Sequence, residues 1–577
     1  MKKSTKALLY LTVIIFALTT TSVYSLTSSN PSQAGKKGIN VIDCAYRKVT
    51  LVESTPLRGC NGLIFGPDGA LYVCQTSPNS ISRIKLQGKH TPRVETFVGP
   101  NHGVITPDDI TVDDDGNFYA TSAIGGEVYK IDSQGMKSVI ARGLSGPNGI
   151  SYDEESGRLF MTECFWGNRI FELDPNGVAP PRLVNDQLYV PEGFDIRDGK
   201  LIIPDFGSWW IVAVDMDTGV IEPLVTEGLI TPVALKIGPD GYIYTVELAT
   251  GLVKKINPDP DDFKIEELTM LRPGLDNLAF GPDGYLYVSS YHDCTIWKVD
   301  PDSGENTMLF PMGINSVASI DVKGEDLYVC DSIMVRRIDE EGNVNKTWAN
   351  AWLSPTGYPL PMTLTNGIGD NVITADFIDG VVAEVNPTVV EDWKFLVDHS
   401  DSISSPAGME VDSENQLLYI AAYGSGEVIE VDLITLERRI VANYLSGPID
   451  LVIKDGTLYV AEALAGRITM VDIASGVKEI FLNGYVGKPK GLAWDDNGNL
   501  LIVDTAKREL LKVNMGNLDI SVVASNIPAV HTTYYPYPLI WDAPSPIAVN
   551  AKGDIFLAGS DGSVIMLKYY GHHWWHW

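Results

Sequence analysis

One motif, written over and over, constrains this chain more than any other feature. Residues 61–73 read NGLIFGPDGALYV and residues 276–288 read DNLAFGPDGYLYV. Variants begin at Asp108 (DDITVDDDGNFYA), Asn148 (NGISYDEESGRLFM), Val233 (VALKIGPDGYIYT) and Lys490 (KGLAWDDNGNLLI). Each is an apolar run, a Pro/Asp/Gly turn and a second apolar run. A third run follows, such as Ile81-Ser82-Arg83-Ile84 or Ile296-Trp297-Lys298-Val299, and usually a fourth. The runs have strand length and are bounded by turn residues, and no long stretch carries a helical period. Four short strands repeated every roughly forty residues predict a β-propeller, in which equivalent residues of all blades surround one axis.

Units begin near Asn61, Asp108, Asn148, Glu192, Val233 and Asp276, and again near Val317, Thr363, Ala407, Ile449, Lys490 and Ser545. Twelve blades exceed the usual four to eight for one ring. The chain, 577 residues long, is also too long for a single core. The expected fold is therefore all-β: two tandem six-bladed propellers of four-stranded antiparallel blades, over residues 48–312 and 313–569. A split into seven and five blades is the alternative. The last unit has only three clear runs, while the strand Lys48-Val49-Thr50-Leu51-Val52-Glu53 has no unit of its own. It closes one ring or the other by edge pairing, and the sequence leaves both options open.

Residues 1–25 carry Lys2, Lys3 and Lys6, an apolar run from Ala7 to about Leu18, and small residues up to Ser25. This pattern predicts a cleaved secretory signal, with an uncleaved anchor as the alternative. No other segment approaches the ~18 apolar residues of a membrane span, so no stable span is expected after cleavage. Residues 26–47 read as a linker. The expected location is secreted or periplasmic. The formal net charge of −31 repels nucleic acid at long range. The expected partner is a small-molecule substrate or an extracellular ligand. The six cysteines show no CxxC spacing; Cys44 and Cys60 are a candidate pair in an oxidising compartment. Residues 570–577 (YGHHWWHW) form a His/Trp-rich tail that suits a metal, a membrane interface or a frayed end.

The first strand of a blade lines the axial channel, so the residue at its start stands at one mouth. In the first six units these residues are Asn61, Asp108, Asn148, Glu192, Val233 and Asp276, five of them oxygen donors. In the second six they are Val317, Thr363, Ala407, Ile449, Lys490 and Ser545, mostly apolar or weakly polar. Three carboxylates on one axis repel unless protonated or bound to a cation. Oxygen ligands favour a hard divalent cation, Ca²⁺ before Mg²⁺; the alternative is a solvated channel mouth. A second set ends each second strand: Gln75, Ser122, Glu163, Asp205, Glu247 and Ser290. Acids recur at the matching positions of the second half, which argues for a structural task. His102 and His292 lie in first-half loops, where each is either a general acid or base or a plain surface residue. Trp166, Trp209 and Trp210 follow second strands in neighbouring blades. They either wall a pocket for an apolar or sugar-like ligand or pack between blades. Asn345-Lys346-Thr347 matches a glycosylation sequon. No GxSxG elbow, P-loop, HExxH or dinucleotide fingerprint is present.

The units NGLIFGPDGALYV, DNLAFGPDGYLYV and GPNGISYDEESGRLFM resemble those of the gluconolactonase/regucalcin-like (SMP-30-type) six-bladed propellers and the related NHL-repeat and streptogramin-lyase propellers. The resemblance spans nearly the whole chain after residue 48 as a repeat pattern. It implies a divalent cation in the channel, held by Glu192, Asn148, Asn61, Asp108 and Asp276, and hydrolysis of a lactone or related ester, with Asp108 or Asp276 activating water. In the gluconolactonase family the Glu comes early in the first blade; here the only mouth Glu is in the fourth. Two alternatives follow from the same relatives. One is a lyase with His102 or His292 as base; the other is a non-enzymatic extracellular binding propeller with structural Ca²⁺.

Overall fold

The computed structural model describes residues 38–571 apart from 87–91, 165, 260–261, 332–333, 349–360, 378, 387–388, 529–545 and 560. The signal sequence expected at 1–25 and the last six tail residues lie outside the described residues, as does Ser545. The described chain folds into twelve sheets, eleven of four strands and one of five. No α-helix occurs among the described residues, only two short 3₁₀ turns.

The repeated motif has a physical reason. In blade 1 the turn residue Asp68 accepts from the Tyr72 hydroxyl at 3.3 Å and from Arg83 Nε at 2.7 Å. In blade 5 Asp240 takes Tyr244 at 2.8 Å and Lys255 at 2.8 Å. In blade 6 Asp283 takes Tyr287 at 2.9 Å and Lys298 at 2.7 Å. The PDG turn, the tyrosine that follows it and the cation on the third strand thus form one clamp across three strands. Second strands such as Leu71–Gln75, Phe118–Ser122 and Ile243–Glu247 are buried at every residue. Each blade is covered on both faces by its neighbours, so these strands read as unbroken runs, not alternating ones.

First strands touch in sequence around two closed rings. In the first, Cys60–Phe65, Pro107–Val112, Pro147–Asp153, Asp195–Arg197, Pro232–Ile237 and Leu275–Phe280 follow one another, and the last returns to the first. In the second, Val317–Lys323, Thr363–Asn366, Pro406–Asp412, Pro448–Lys454, Pro489–Trp494 and Ile547–Val549 do the same.

The N-terminal strands correct the boundaries expected from sequence. Residues 48–52, assigned above to the first ring, belong to Tyr46–Val52, which pairs with Val564–Tyr569 in the last blade, Tyr46 opposite Tyr569 and Thr50 opposite Ile565. Blade 12 has only three strands of its own, and Val52 is buried in the same cluster as Ile314, Ala548 and Val564. Inside the segment read as a linker, Asn40–Val41 adds a fifth strand to blade 11 through Ile520–Ser525. Both strands cover edges of the second ring. The first ring is inserted between them and closes on its own strands, with Cys60, Leu63, Ala279 and Tyr287 packed at the join.

The two rings meet through a buried cation. Arg336, on the third strand of blade 7, is fully buried. It donates to Asp331 Oδ2 at 2.7 Å within its own blade, to Asp293 Oδ1 at 3.3 Å in blade 6, and to the backbone oxygen of His292. Asp293 is also held by Arg272 at 2.7 Å. All six cysteines are free thiols; Cys44 is exposed and Cys60 is buried.

Candidate functional site

Five of the six mouth residues of the first ring occupy the same kind of backbone irregularity. Cys60 pairs with Gln75 and Leu63 with Val73, so Asn61 and Gly62 together face Cys74. The same shift places Asp108 and Asp109 opposite Thr121, Asn148 and Gly149 opposite Thr162, and Asp276 and Asn277 opposite Ser289. In blade 5 Val233 is the extra residue between Pro232 and Ala234. A β-bulge breaks the alternation of side chains and re-aims them. Here it presents two successive residues of the innermost strand. Blade 4 differs. Glu192 precedes the short strand Asp195–Arg197 and is placed by a bridge between Pro191 and Asp205 and by its own N–H on the Pro204 carbonyl at 3.1 Å.

The upper layer holds the carboxylates. Asp108 and Glu192 are buried. Burial, then the charges of Asp276 and Asp109, push Asp108 well above the ordinary carboxylate range. Burial, then Asp108, Asp276 and Asp205, do the same to Glu192. Burial, helped by Asp109, brings Asp276 up to about 7. Asp108, Glu192 and Asp276 thus lie within electrostatic reach of one another around the channel. Asn61 Nδ2 donates to Asp108 Oδ1 at 2.5 Å, and Asp108 Oδ2 is buried with no hydrogen-bond partner. The Asn148 side chain is hydrogen-bonded to the Cys164 sulfur, whose thiol is raised by burial and then by Glu192, Asp108 and Asp276.

The lower layer closes the channel. Asn277 Nδ2 donates to Asp109 Oδ1 at 2.9 Å from two blades away. Asp109 also accepts from the backbone of Ile110 at 2.8 Å and of Ile150 at 3.1 Å. Small residues fill the rest of this layer. A Cβ on Gly62 would stand 2.4 Å from Asp109 Oδ1, and one on Gly149 would stand 2.7 Å from the Glu192 carbonyl. The site is a cup with a polar floor. Sequence reasoning missed this floor, although the same repeat alignment contains it one column to the right of the mouth residues. It also missed Cys164.

The ends of the second strands do the structural work expected of them. Gln75, Glu163 and Glu247 accept from the backbone N–H of Arg58, Ser145 and Ile230 at 2.8, 2.7 and 2.8 Å. Asp205 takes Val190 at 2.6 Å. Asp331, Glu462 and Asp504 repeat this in the second ring with Ser316, Ser446 and Gly487. Each acid ties down the loop that enters its own blade.

The histidines lie elsewhere. His102 is exposed in the 3₁₀ turn Pro100–His102, and its Nδ1 accepts from Gly99 N at 3.2 Å. His292 is buried at the junction of the rings. Burial, then Arg336, pushes its imidazole down to about 3, which leaves it neutral at physiological pH. Gly274, at φ +98°, makes room for its ring. Neither histidine forms a hydrogen bond or ion pair with Asp108, Glu192 or Asp276 among the described residues. In the second ring the mouth positions Val317, Thr363, Ala407, Ile449 and Lys490 are all buried and none is a carboxylate. The acids of that ring's first strands, Asp321, Glu410 and Asp450, stand at other positions, where burial and then Asp321 and Asp450 push Glu410 well above its ordinary value.

The donors of the first mouth are chemically suited to a hard cation: two amides and three carboxylates, one of which, Asp108, has a buried oxygen left without a partner. Among the described residues, no three His, Cys, Asp or Glu side chains already form a coordination cluster. Binding would draw on the asparagines and on side-chain rotation.

Residues 22–165 match a family model described as the SMP-30/Gluconolactonase/LRE-like region. That region contains Asn61, Asp108 and Asn148 and stops short of Glu192 and Asp276. A gluconolactonase of Zymomonas mobilis subsp. mobilis is 22% identical over 190 residues, covering 27% of this chain and 52% of that relative. The chain thus spans about half the length of the curated relative it matches. A solved structure described as a candidate gluconolactonase is 16% identical, with 47% of this chain and 95% of that one aligned and a TM-score of 0.35. A gluconolactonase from Xanthomonas campestris is 15% identical, with 44% and 93% aligned and the same TM-score of 0.35.

Proposed function

We propose that the protein is a hydrolase of the gluconolactonase type, acting on a lactone or related ester at the mouth of the first ring and using a divalent cation, Ca²⁺ in preference to Mg²⁺. The observation that carries this reading is the pair of buried acids Asp108 and Glu192 with the half-buried Asp276 near them, together with the unpartnered Asp108 Oδ2. Buried carboxylates that raise one another are costly without a positive charge among them. Support also comes from the gluconolactonase-like region and the relatives described above.

Asn61, Asn148, Asp108 and Glu192 would hold the ion. When bound, such an ion polarises an ester carbonyl. Asn61 fixes the Asp108 carboxylate through its amide. Asp276, on the first strand of blade 6 within electrostatic reach of Asp108 and Glu192, is the candidate to take a proton from an attacking water. The Asp109–Asn277 floor stops the substrate from passing down the channel and keeps the reacting carbon at the level of the carboxylates. The reading includes export: residues 1–25 act as a cleaved signal, and the enzyme works in a secreted or periplasmic setting, which N-terminal sequencing of the mature protein tests.

The deciding experiment equilibrates wild type and Glu192→Ala with Ca²⁺ and Mg²⁺, counts bound metal by mass spectrometry, and follows glucono-1,5-lactone opening in a pH-stat. About one equivalent of Ca²⁺ and lactone turnover, both lost in Glu192→Ala, is the expected result. No stoichiometric metal in the wild type would sink the reading. Metal without turnover of any lactone or ester would move the protein to the class of extracellular binding propellers.

A further inference from the structure

Beside the carboxylates, on two neighbouring blades, four aromatic side chains face solvent: Trp166 (52% exposed), Tyr189 (68%), Trp209 (43%) and Trp210 (40%). Their exposure excludes the option that the tryptophans pack between blades. Large aromatics grouped in the open on a soluble protein mark a contact surface.

The backbone ties this group to the site. Tyr189 is three residues before Glu192. Its β-carbon rests on the Trp209 turn, where a Cβ on Gly207 would stand 2.5 Å away. Asp205 joins the two segments: it accepts from Val190 N at 2.6 Å and from the Ser208 hydroxyl at 2.7 Å, and its carbonyl takes Trp209 N at 2.8 Å. Trp166 lies over Gly146, two residues before Asn148, with its ring 2.6 Å from where a Cβ would be.

Trp209 stands at an unfavourable place. The turn between second and third strands requires a left-handed residue. The other five blades of the first ring supply Asn79, Gly126, Asn168, Gly251 and Cys294 there, four of them the residue types that tolerate it. Trp209 adopts φ +63°, an outlier for a bulky side chain. The fold gains nothing from an exposed indole at such a position, and strain of this kind concentrates where a site needs it.

We infer that Trp166, Tyr189, Trp209 and Trp210 form a stacking platform for a neutral saccharide beside Glu192, so that the lactone the site accepts is carried at the end of a sugar chain. The substrate half of this inference rests on the lactonase reading; the platform half does not. A pyranose offers an apolar C–H face to the negative face of an aromatic ring and hydroxyls to the oxygen-rich cup next to it. The chain's net charge of −31 disfavours an anionic polymer.

The test titrates cellopentaose and maltopentaose into wild type, Trp166→Ala and Trp209→Gly, following tryptophan fluorescence and calorimetry. It also compares KM for the pentaose aldonolactones with KM for glucono-1,5-lactone. Trp209→Gly suits the left-handed turn, so it stays folded with a Tm no lower than wild type. Saturable binding of a pentaose, weakened at least tenfold in either variant, is expected. So is a wild-type KM at least tenfold lower for the matching pentaose lactone, a gap that closes in Trp209→Gly. No saturable binding of either pentaose by wild type overturns the platform, even if glucono-1,5-lactone is opened. Trp209-dependent pentaose binding without turnover of any lactone keeps the platform and removes the lactonase reading. Concentration-dependent self-association that disappears in Trp209→Gly gives the surface to a second copy of the chain and overturns the inference.

Discussion

Asn277 Nδ2 reaches Asp109 Oδ1 at 2.9 Å, joining blade 6 to blade 2 beneath the carboxylates. Asp109 also holds the amides of Ile110 and Ile150. Asp109→Ala therefore leaves three buried donors without an acceptor, each worth about 1–3 kcal/mol. A loss of about 3 kcal/mol is expected in urea unfolding. Asn277→Ala removes this donor and also the Oδ1 that accepts from Leu278 N at 2.8 Å, so it strands one buried donor and should cost about 1–2 kcal/mol. Equal small losses in both would show that the floor is not held by this bond.

The carboxylates give the metal-free protein a defined pH dependence. Burial, then neighbouring carboxylates, raise Asp108 and Glu192, and burial with Asp109 brings Asp276 up to about 7. The folded state then binds more protons than the unfolded chain, whose carboxyls titrate near about 4. Their contribution to stability is complete below the unfolded value and is lost as pH rises through the folded ones. In EDTA, urea midpoints should fall from pH 5 to pH 8. Millimolar Ca²⁺ should raise the pH 8 midpoint far more than the pH 5 midpoint, because only the ionised site binds it. A Ca²⁺ effect independent of pH would contradict the placement of the ion among these groups.

Asp108→Asn separates stability from binding. The amide keeps the shape and can still pair with Asn61, but removes one of the charges that raise Glu192. Without metal the variant should be more stable than wild type at pH 8, by about 1 kcal/mol. Its Ca²⁺ affinity, read by calorimetry, should be at least about tenfold weaker. A variant that is both less stable and unchanged in affinity would place Asp108 in the scaffold and not in the site.

The architecture was legible because the repeat encodes its own clamp: Asp68, Tyr72 and Arg83 recur as Asp240, Tyr244 and Lys255 and as Asp283, Tyr287 and Lys298. The same alignment picked out the mouth residues, since equivalent positions must meet on the axis. It did not show that four of them, Asn61, Asp108, Asn148 and Asp276, sit in bulges presenting two residues, so Asp109 and Asn277 were passed over. Nor did it show the destination of Tyr46–Val52, because an edge strand carries no record of its partner. His292 looked like a loop residue near the mouth. Only the packing of the rings reveals that Arg336 stands against its carbonyl. The contrast between Asp276 and Lys490, at matching places in the two halves, was legible, and the chemistry of the first mouth rests on it.

Arg336 bridges two buried acids at the junction of the rings, Asp331 in its own blade and Asp293 in blade 6. It is fully buried, 2.7 Å from Asp331 and 3.3 Å from Asp293. Arg336→Met fills similar volume but takes from Asp331 its only cation and from Asp293 one of its two among the described residues. Removing one partner of a buried ion pair costs about 3–5 kcal/mol. Asp293 keeps Arg272 at 2.7 Å and Asp331 keeps the Ser316 amide at 2.9 Å, so a loss near about 3 kcal/mol is expected. Asp293→Asn leaves Arg336 with Asp331 and should cost less, about 1 kcal/mol. The triple change Arg336→Met, Asp331→Leu, Asp293→Asn removes every stranded charge and should recover most of the loss. Urea unfolding of the three proteins decides the point. If the triple variant is no better than Arg336→Met, the guanidinium matters for its bond to the His292 carbonyl and for packing, and charge balance is not what holds the rings together.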